Sequence, residues 1–214
     1  AASTLLRTAT TSRTVYAYSG TRVTITSPST VTSGSTVTLR GKVISTKTGN
    51  GIGGVTVRIV RDPAVGSNSV TTVTTSSSGS WSLRWTARTN TRITASAVAK
   101  KTPSGTTYIA SSSRSATQPV RARMLCSVSD STLSRGQRGS GSCSVANLPI
   151  GTPLALRYLF NGSLSTLATG TSKSTTIPFS FTFNARGTYY LRVDLGANSR
   201  FVATNSALLP VTVG

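Results

Sequence analysis

Enzymatic chemistry starts from groups that move protons, attack carbonyls or hold metals, and this chain has few of them. Its 214 residues include 23 Lys and Arg, no His, and three acids, Asp62, Asp130 and Asp194. General acid–base catalysis places His, Glu or Asp at the reacting atom, and a two-carboxylate mechanism needs two acids close together. Asp130 and Asp194 share the second half of the chain and could meet, but Asp194 alternates outward beside Arg192, and a salt bridge or a turn cap accounts for both acids better than catalysis does. Without His no Ser-His-Asp or Cys-His arrangement exists, and no Ser stands three residues before a Lys as S-x-x-K requires. Cys126 and Cys143 have no further Cys or His to complete a four-ligand metal site. The expectation is a protein that is not an enzyme and takes no metal or cofactor.

What remains is charge. The formal net charge is +20. Residues 1–120 carry 14 basic side chains and one acid, and residues 121–214 carry nine and two. A surface of one sign attracts polyanions. The candidates for such contact are Arg40, Lys42, Arg58, Arg84 and Arg88 in the first half and Arg157 and Arg192 in the second. Arg40, Lys42, Arg58, Arg84, Arg157 and Arg192 fall on the outward phase of alternating segments. Any one of them alone is what an exposed strand position ordinarily carries, as part of an evenly solvated face. The near-complete exclusion of acids goes beyond what solubility asks for. The expected partner is an anionic polymer or an acidic protein surface: wall polymer, polysaccharide, or nucleic acid bound without sequence reading. No recognition helix or RNP-like aromatic motif is present to read bases.

The elements that must hold these side chains read as strands. The chain is 36% hydrophobic and rich in Ser, Thr and Gly, a composition of pleated, half-exposed surface joined by turns. Period-2 alternation begins at Arg22-Val23-Thr24-Ile25. It recurs through 37–43, 55–60, 69–75, 80–86, 91–99 and 106–110, with a last strand of the first unit near 117–123. A second series runs 124–128, 139–146, 153–160, 164–169, 175–183, 187–195 and 207–213. Asn161-Gly162 marks a two-residue hairpin. Trp81, Trp85, Phe181 and Tyr189 sit at even spacing within strands and read as core rather than as carbohydrate platforms. No segment has helical periodicity, and no apolar run approaches the ~20 residues of a membrane span.

Several stretches resemble the bacterial Ig-like modules of secreted and surface proteins. They are Ile25-Thr26-Ser27-Pro28, Gly34-Ser35-Thr36-Val37-Thr38-Leu39-Arg40-Gly41-Lys42-Val43, Gly54-Val55-Thr56-Val57 and Ser78-Gly79-Ser80-Trp81-Ser82-Leu83. Gly187-Thr188-Tyr189-Tyr190-Leu191-Arg192-Val193 makes the second half broadly similar to an Ig-like sandwich. The fold expected is all-β, two tandem Ig-like β-sandwiches over 21–122 and 123–214, preceded by an extended arm over 1–20. A disulfide between Cys126 and Cys143 is expected, the alternative being two reduced buried thiols; it would link the first two strands of the second sandwich. With Ala1-Ala2-Ser3 resembling the start of a mature chain, it suggests secretion. Leu209-Pro210-Val211-Thr212-Val213 only approximates a sortase signal and reads as a last strand with Val211 and Val213 inward.

Within the arm, Val15, Tyr16, Ala17 and Tyr18 alternate as a strand that an open sheet edge could accept, either of the same chain or of a neighbouring subunit. The functional expectation is a non-catalytic, secreted structural or adhesive protein, part of an extracellular or cell-surface assembly that self-associates. Its alternatives are a phage virion protein, as capsid decoration or tail component, or the accessory binding module of an enzyme complex.

Overall fold

A computed structural model of the chain describes residues 18–26, 29–102 and 106–214. The first half contains β1 (Tyr18–Ser19), β2 (Thr21–Ile25), β3 (Val31–Thr32), β4 (Ser35–Ser45), β5 (Thr56–Pro63) and β6 (Ser69–Thr74). It continues with β7 (Ser80–Ala87), β8 (Thr91–Ala97), β9 (Lys100–Lys101), β10 (Thr107–Tyr108), β11 (Ser111–Gln118) and β12 (Val120–Arg121). The second half contains β13 (Met124–Val128), β14 (Thr132–Leu133), β15 (Arg138–Val145), β16 (Pro153–Phe160) and β17 (Ser163–Thr171). It ends with β18 (Thr176–Thr182), β19 (Gly187–Leu195), β20 (Thr204–Asn205) and β21 (Leu209–Val213). No helix occurs among the described residues.

Both halves are wired alike. In the first, β2-β4-β7 forms one sheet and β11-β8-β5-β6 the other, with β3 pairing β12 in parallel. In the second, β13-β15-β18 faces β14-β21-β19-β16-β17, and β14 again pairs the last strand in parallel. This is the strand order of an Ig-like sandwich used twice. The second sandwich also carries a tyrosine corner. Tyr189, near the start of β19, donates its hydroxyl hydrogen to the Ala185 carbonyl at 3.0 Å.

Alternation places the cores where the sequence puts them. Val23, Leu39, Val43, Val57, Ile59, Trp81, Ile93 and Ala95 are buried between the sheets of the first sandwich. Leu133, Cys143, Leu156, Phe181, Phe183, Tyr189, Leu191, Val193, Val211 and Val213 fill the second. There Tyr189 stacks between Phe160 and Phe183, with ring centroids 4.3 and 3.8 Å away. The hairpin turns at Asn161 (φ 48) and Gly162 (φ 77), both in the left-handed region as the sequence requires.

One strand is displaced from its sequence expectation. The last long strand of the first sandwich is β11, over a Ser-rich stretch that the sequence assigned to no strand, and only the short β12 lies wholly within 117–123. Its ladder to β8 is held by backbone hydrogen bonds. Only Ala116 and Gln118 supply inward side chains over 115–118, so no apolar alternation announces it.

A third cluster lies between the sandwiches. Val37, Ala87 and Val120 from the first half meet Val145, Leu148, Leu195 and Phe201 from the second, and Phe201 is fully buried. Backbone bonds cross the same seam: Asn90 N donates to Arg200 O at 2.7 Å and Val202 N to Val120 O at 2.9 Å. The Asn90 side-chain oxygen accepts from Val120 N at 2.8 Å.

Glycine and aromatic residues are paired in both sandwiches. Gly41 on β4 lies directly opposite Trp81 on β7, and Gly139 and Gly141 on β15 lie opposite Phe181 and Phe179 on β18. A Cβ at Gly41 would strike the Trp81 ring and the Thr24 carbonyl, and one at Gly139 would sit 2.5 Å from the Phe181 ring. The rings therefore lie flat across bare backbone, and these positions cannot be filled without overpacking. Gly41→Ala and Gly139→Ala are each expected to lose about 1–3 kcal/mol in urea unfolding. Gly170, with open space around its Cβ position, serves as the control, and Gly170→Ala is expected to be neutral or slightly stabilising.

Cys126 and Cys143 are directly opposed on β13 and β15 and form the expected disulfide, with Cα atoms 4.0 Å apart. It closes a 17-residue separation, which corresponds to roughly 3 kcal/mol of loop-closure entropy in the unfolded chain. The Cys126→Ser, Cys143→Ser double variant is expected to lose about 3 kcal/mol of unfolding free energy and so to unfold at a lower denaturant midpoint; an unchanged midpoint would refute the entropic account.

Candidate polyanion-binding surface

The outer face of the β2-β4-β7 sheet gathers four of the five cations predicted for the first half. Arg40 and Lys42 on β4 and Arg84 on β7 are exposed, as is Arg88 just beyond β7. Strand register fixes how they meet. Lys42 lies between Thr24 and Ser80, Arg40 opposite Ser82, and Arg84 opposite Thr38. No cation faces another directly; from Arg22 to Arg84 neighbouring cations are two residues apart on a strand or offset on a diagonal, roughly 7–8 Å between backbones, and Arg88 follows four residues beyond Arg84. This spacing keeps the row continuous while avoiding the destabilising like-charge cross-strand pair. Arg22 on β2, opposite Ile44 and exposed, extends the row at its far end. The alternation that begins at Arg22 held the signal for this additional residue.

Arg58 does not belong to that face. It lies on β5 in the opposite sheet, flanked by Thr72 and Ser96. Its outward phase is as expected, but the sandwich separates it from Arg40 and Arg84.

Arg157 and Arg192 form a different arrangement again. They are directly opposed on β16 and β19, the single like-charge pair in register among the described strands. Asp194 lies between them. Its Oδ2 accepts from Arg192 Nη2 at 3.0 Å and contacts Arg157 Nε at 3.2 Å, and its Oδ1 is 2.7 Å from Arg192 Nε. The two Nε contacts are ionic rather than aligned hydrogen bonds, and the Nη2 bond is the aligned one. The outward salt bridge read from the sequence is present, and it engages both arginines in holding the sheet. One carboxylate neutralises one of the two guanidinium groups, so this cluster is a weaker anion contact than the β2-β4-β7 face.

Of the strand-donation residues, Val15, Tyr16 and Ala17 lie outside the described residues. Tyr18 and Ser19 pair in parallel with Thr107 and Tyr108 of the same sandwich. This small sheet sits near Ser45, whose hydroxyl is 2.9 Å from that of Ser19, at the end of β4 remote from the seam.

A cleft lies between two edge strands of the second sandwich. It measures about 540 Å³ and is walled by β17 and β18, with Leu154, Leu156, Ile177, Phe179 and Val193 among its lining. It exists because the β13-β15-β18 sheet ends at β18 while the opposite sheet continues to β17. A second pocket, about 190 Å³, opens at the end of β5 and β7 near the seam, lined by Arg61, Trp85 and Arg88 among others. Arg61 drew no notice in the sequence, although Val57-Arg58-Ile59-Val60-Arg61 puts it on the inward phase of its strand.

No known protein family matches the sequence, and no curated protein matches it. Solved structures similar to it include red sea bream transglutaminase, at 14% identity and TM-score 0.38, over 90% of this chain and 31% of that one. A tetra-tandem repeat from the extending region of a large adhesion protein gives 16% and 0.39, over 91% and 49%. Salmonella alpha-2-macroglobulin reacted with methylamine gives 10% and 0.38, over 91% and 16%. The chain thus spans less than half the length of each of these structures.

Proposed function

We propose that the protein is a non-catalytic, extracellular structural or adhesive component that holds an anionic polymer against the outer face of its β2-β4-β7 sheet. The observation that carries this reading is the row Arg22, Lys42, Arg40, Arg84 and Arg88 on one sheet face, in which every direct cross-strand neighbour is uncharged. A row of fixed cations on rigid strands binds by releasing the polymer's counterions and needs no shaped pocket. The disulfide supports an oxidising, extracellular setting. The resemblance to bacterial Ig-like modules favours a bacterial surface as that setting.

The assembly half of the proposal rests on a separate observation. β17 is a nine-residue edge strand, Ser163–Thr171, with no charged residue and no proline. Natural edges ordinarily carry charge, proline or bulges as protection against pairing, and β17 has only the single bulge at Leu167. Beside the apolar cleft, such an edge suits an extended segment from another subunit, and the alternating arm ahead of Tyr18 is the segment proposed to supply it.

Duplex DNA is a calibrated polyanion for testing the cationic face. Binding is expected to weaken steeply with salt, and Arg40→Ala with Arg84→Ala is expected to reduce the slope of log K against log salt by about 2. Arg58→Ala on the opposite sheet is expected to leave the slope within error of the parent. Equal effects from the two sheets, or binding indifferent to salt, would refute the proposed face. For the assembly, removal of residues 1–17, which leaves the Tyr18–Ser19 pairing intact, is expected to abolish self-association in sedimentation. Association that persists undiminished would exclude the arm as donor.

A further inference from the structure

The inward phase of β5 runs Val57, Ile59, Arg61: two fully buried aliphatics followed by a guanidinium. Arg61 is half-buried and faces Trp85, on the inward phase of β7, with its guanidinium carbon 5.9 Å from the indole centroid. Its Nη2 donates to Thr71 Oγ1 at 3.4 Å, while its Nε is sealed from solvent without an acceptor. Neither described ion pair involves it. The neighbouring Asp62 is on the outward phase, opposite Arg92 on β8. A cation in a core position with an unsatisfied donor is costly, and the aromatic face offsets only part of that cost. The group it lacks is an anion, and none within the sandwich is positioned to supply one.

The pocket at this point is open to solvent. Arg88 stands on its rim, Pro63 and Trp85 form apolar walls, and the neighbouring Thr86 and Thr89 add hydroxyls. From these features we infer that the pocket between Arg61, Trp85 and Arg88 binds an acidic sugar unit, a pyranose bearing a carboxylate or a sulfate. The oxyanion is held by the two guanidinium groups and the ring lies against the apolar walls. A volume of about 190 Å³ suits one ring, and a lone tryptophan beside proline matches a sugar better than a run of stacked bases, which needs successive aromatic platforms. Arg88 also ends the cationic row of the β2-β4-β7 face, so a chain lying along that face reaches the pocket. The inference rests on the polyanion reading and gives it a chemical class and an anchoring point. Guanidinium is the appropriate group because its fork matches a carboxylate or sulfate oxygen pair.

The test is a titration of the intact protein with trigalacturonate and, separately, a heparin-derived tetrasaccharide, followed by tryptophan fluorescence at low salt; polyphosphate is the comparison. A saturable change is expected with at least one of the sugars and not with polyphosphate. Trp85→Phe should abolish the change, and Arg61→Leu and Arg88→Ala should each weaken binding about tenfold or more, as for a lost charge-assisted hydrogen bond. Arg61→Leu should also leave the thermal midpoint unchanged or raise it, because a leucine satisfies a core position that an unpaired guanidinium does not. A merely structural Arg61 would give the reverse: a lowered midpoint with unchanged binding. That result overturns the inference, as does the absence of saturable change with both sugars. Should Arg61→Leu fail to fold, the rim variant Arg88→Ala decides alone, and unchanged affinity there overturns the inference. Loss of the pocket response with polymer binding intact refutes the pocket only. Sugar binding that survives while Arg40→Ala, Arg84→Ala has no effect on polymer affinity refutes the cationic face only.

Discussion

The interaction on which this structure depends is the repulsion among its own cations. With 23 basic residues and three acids, ion pairing cannot balance the charge, so geometry must. Strand phase sends Arg22, Arg40, Lys42, Arg58 and Arg84 outward, and strand register then places Ser, Thr or Ile, never another cation, opposite each of them. Where register does oppose two arginines, Arg157 and Arg192, the carboxylate of Asp194 is held between them. A one-residue slip of any of these strands would turn its cations into the core. Charge therefore specifies register here as strongly as the apolar pattern does.

Presentation of that charge to a long polymer requires that the sandwiches not rotate freely. Phe201, fully buried, and the backbone bonds from Asn90 to Arg200 and Val202 to Val120 fix the second sandwich on the end of the first. Interdomain surfaces are usually polar and permit relative motion. This one carries its own apolar cluster drawn from both halves, a sign that the two units act as one extended body. Tyr18 and Ser19 join the first sandwich beside Ser45, at the opposite end of the 11-residue β4 from the seam.

Much of the fold was legible because strands report themselves through alternation. The cores of both sandwiches, the hairpin at Asn161-Gly162 and the disulfide followed from period 2, turn chemistry and cysteine placement. β11 did not, because a Ser-rich strand is held by its backbone ladder and contributes almost nothing inward. The cationic face was half legible. The outward phase of Arg40, Lys42 and Arg84 could be read directly, whereas the separation of Arg58 onto the other sheet depends on strand order, which alternation within one strand does not contain. The pairing of Arg157 and Arg192 across Asp194 needed register between β16 and β19, and the glycine–aromatic pairs needed register between β4 and β7 and between β15 and β18.

Arg61 is the exception that gives the arrangement its meaning. Every other strand cation discussed here obeys the phase rule, and Arg61 alone follows Val57 and Ile59 inward, onto Trp85. Local consistency is what makes a sequence specify its fold, and breaches of it concentrate where function imposes another demand. Stability by itself favours an aliphatic side chain at this position, since the cation–π contact with one indole leaves Nε without an acceptor. A guanidinium placed there is kept partly dry, which strengthens its attraction for an entering anion relative to the solvated arginines of the open face. The same scarcity of acids that leaves the outer face free for a polymer also leaves this half-buried cation without an internal anion, so surface and pocket follow from one property of the chain.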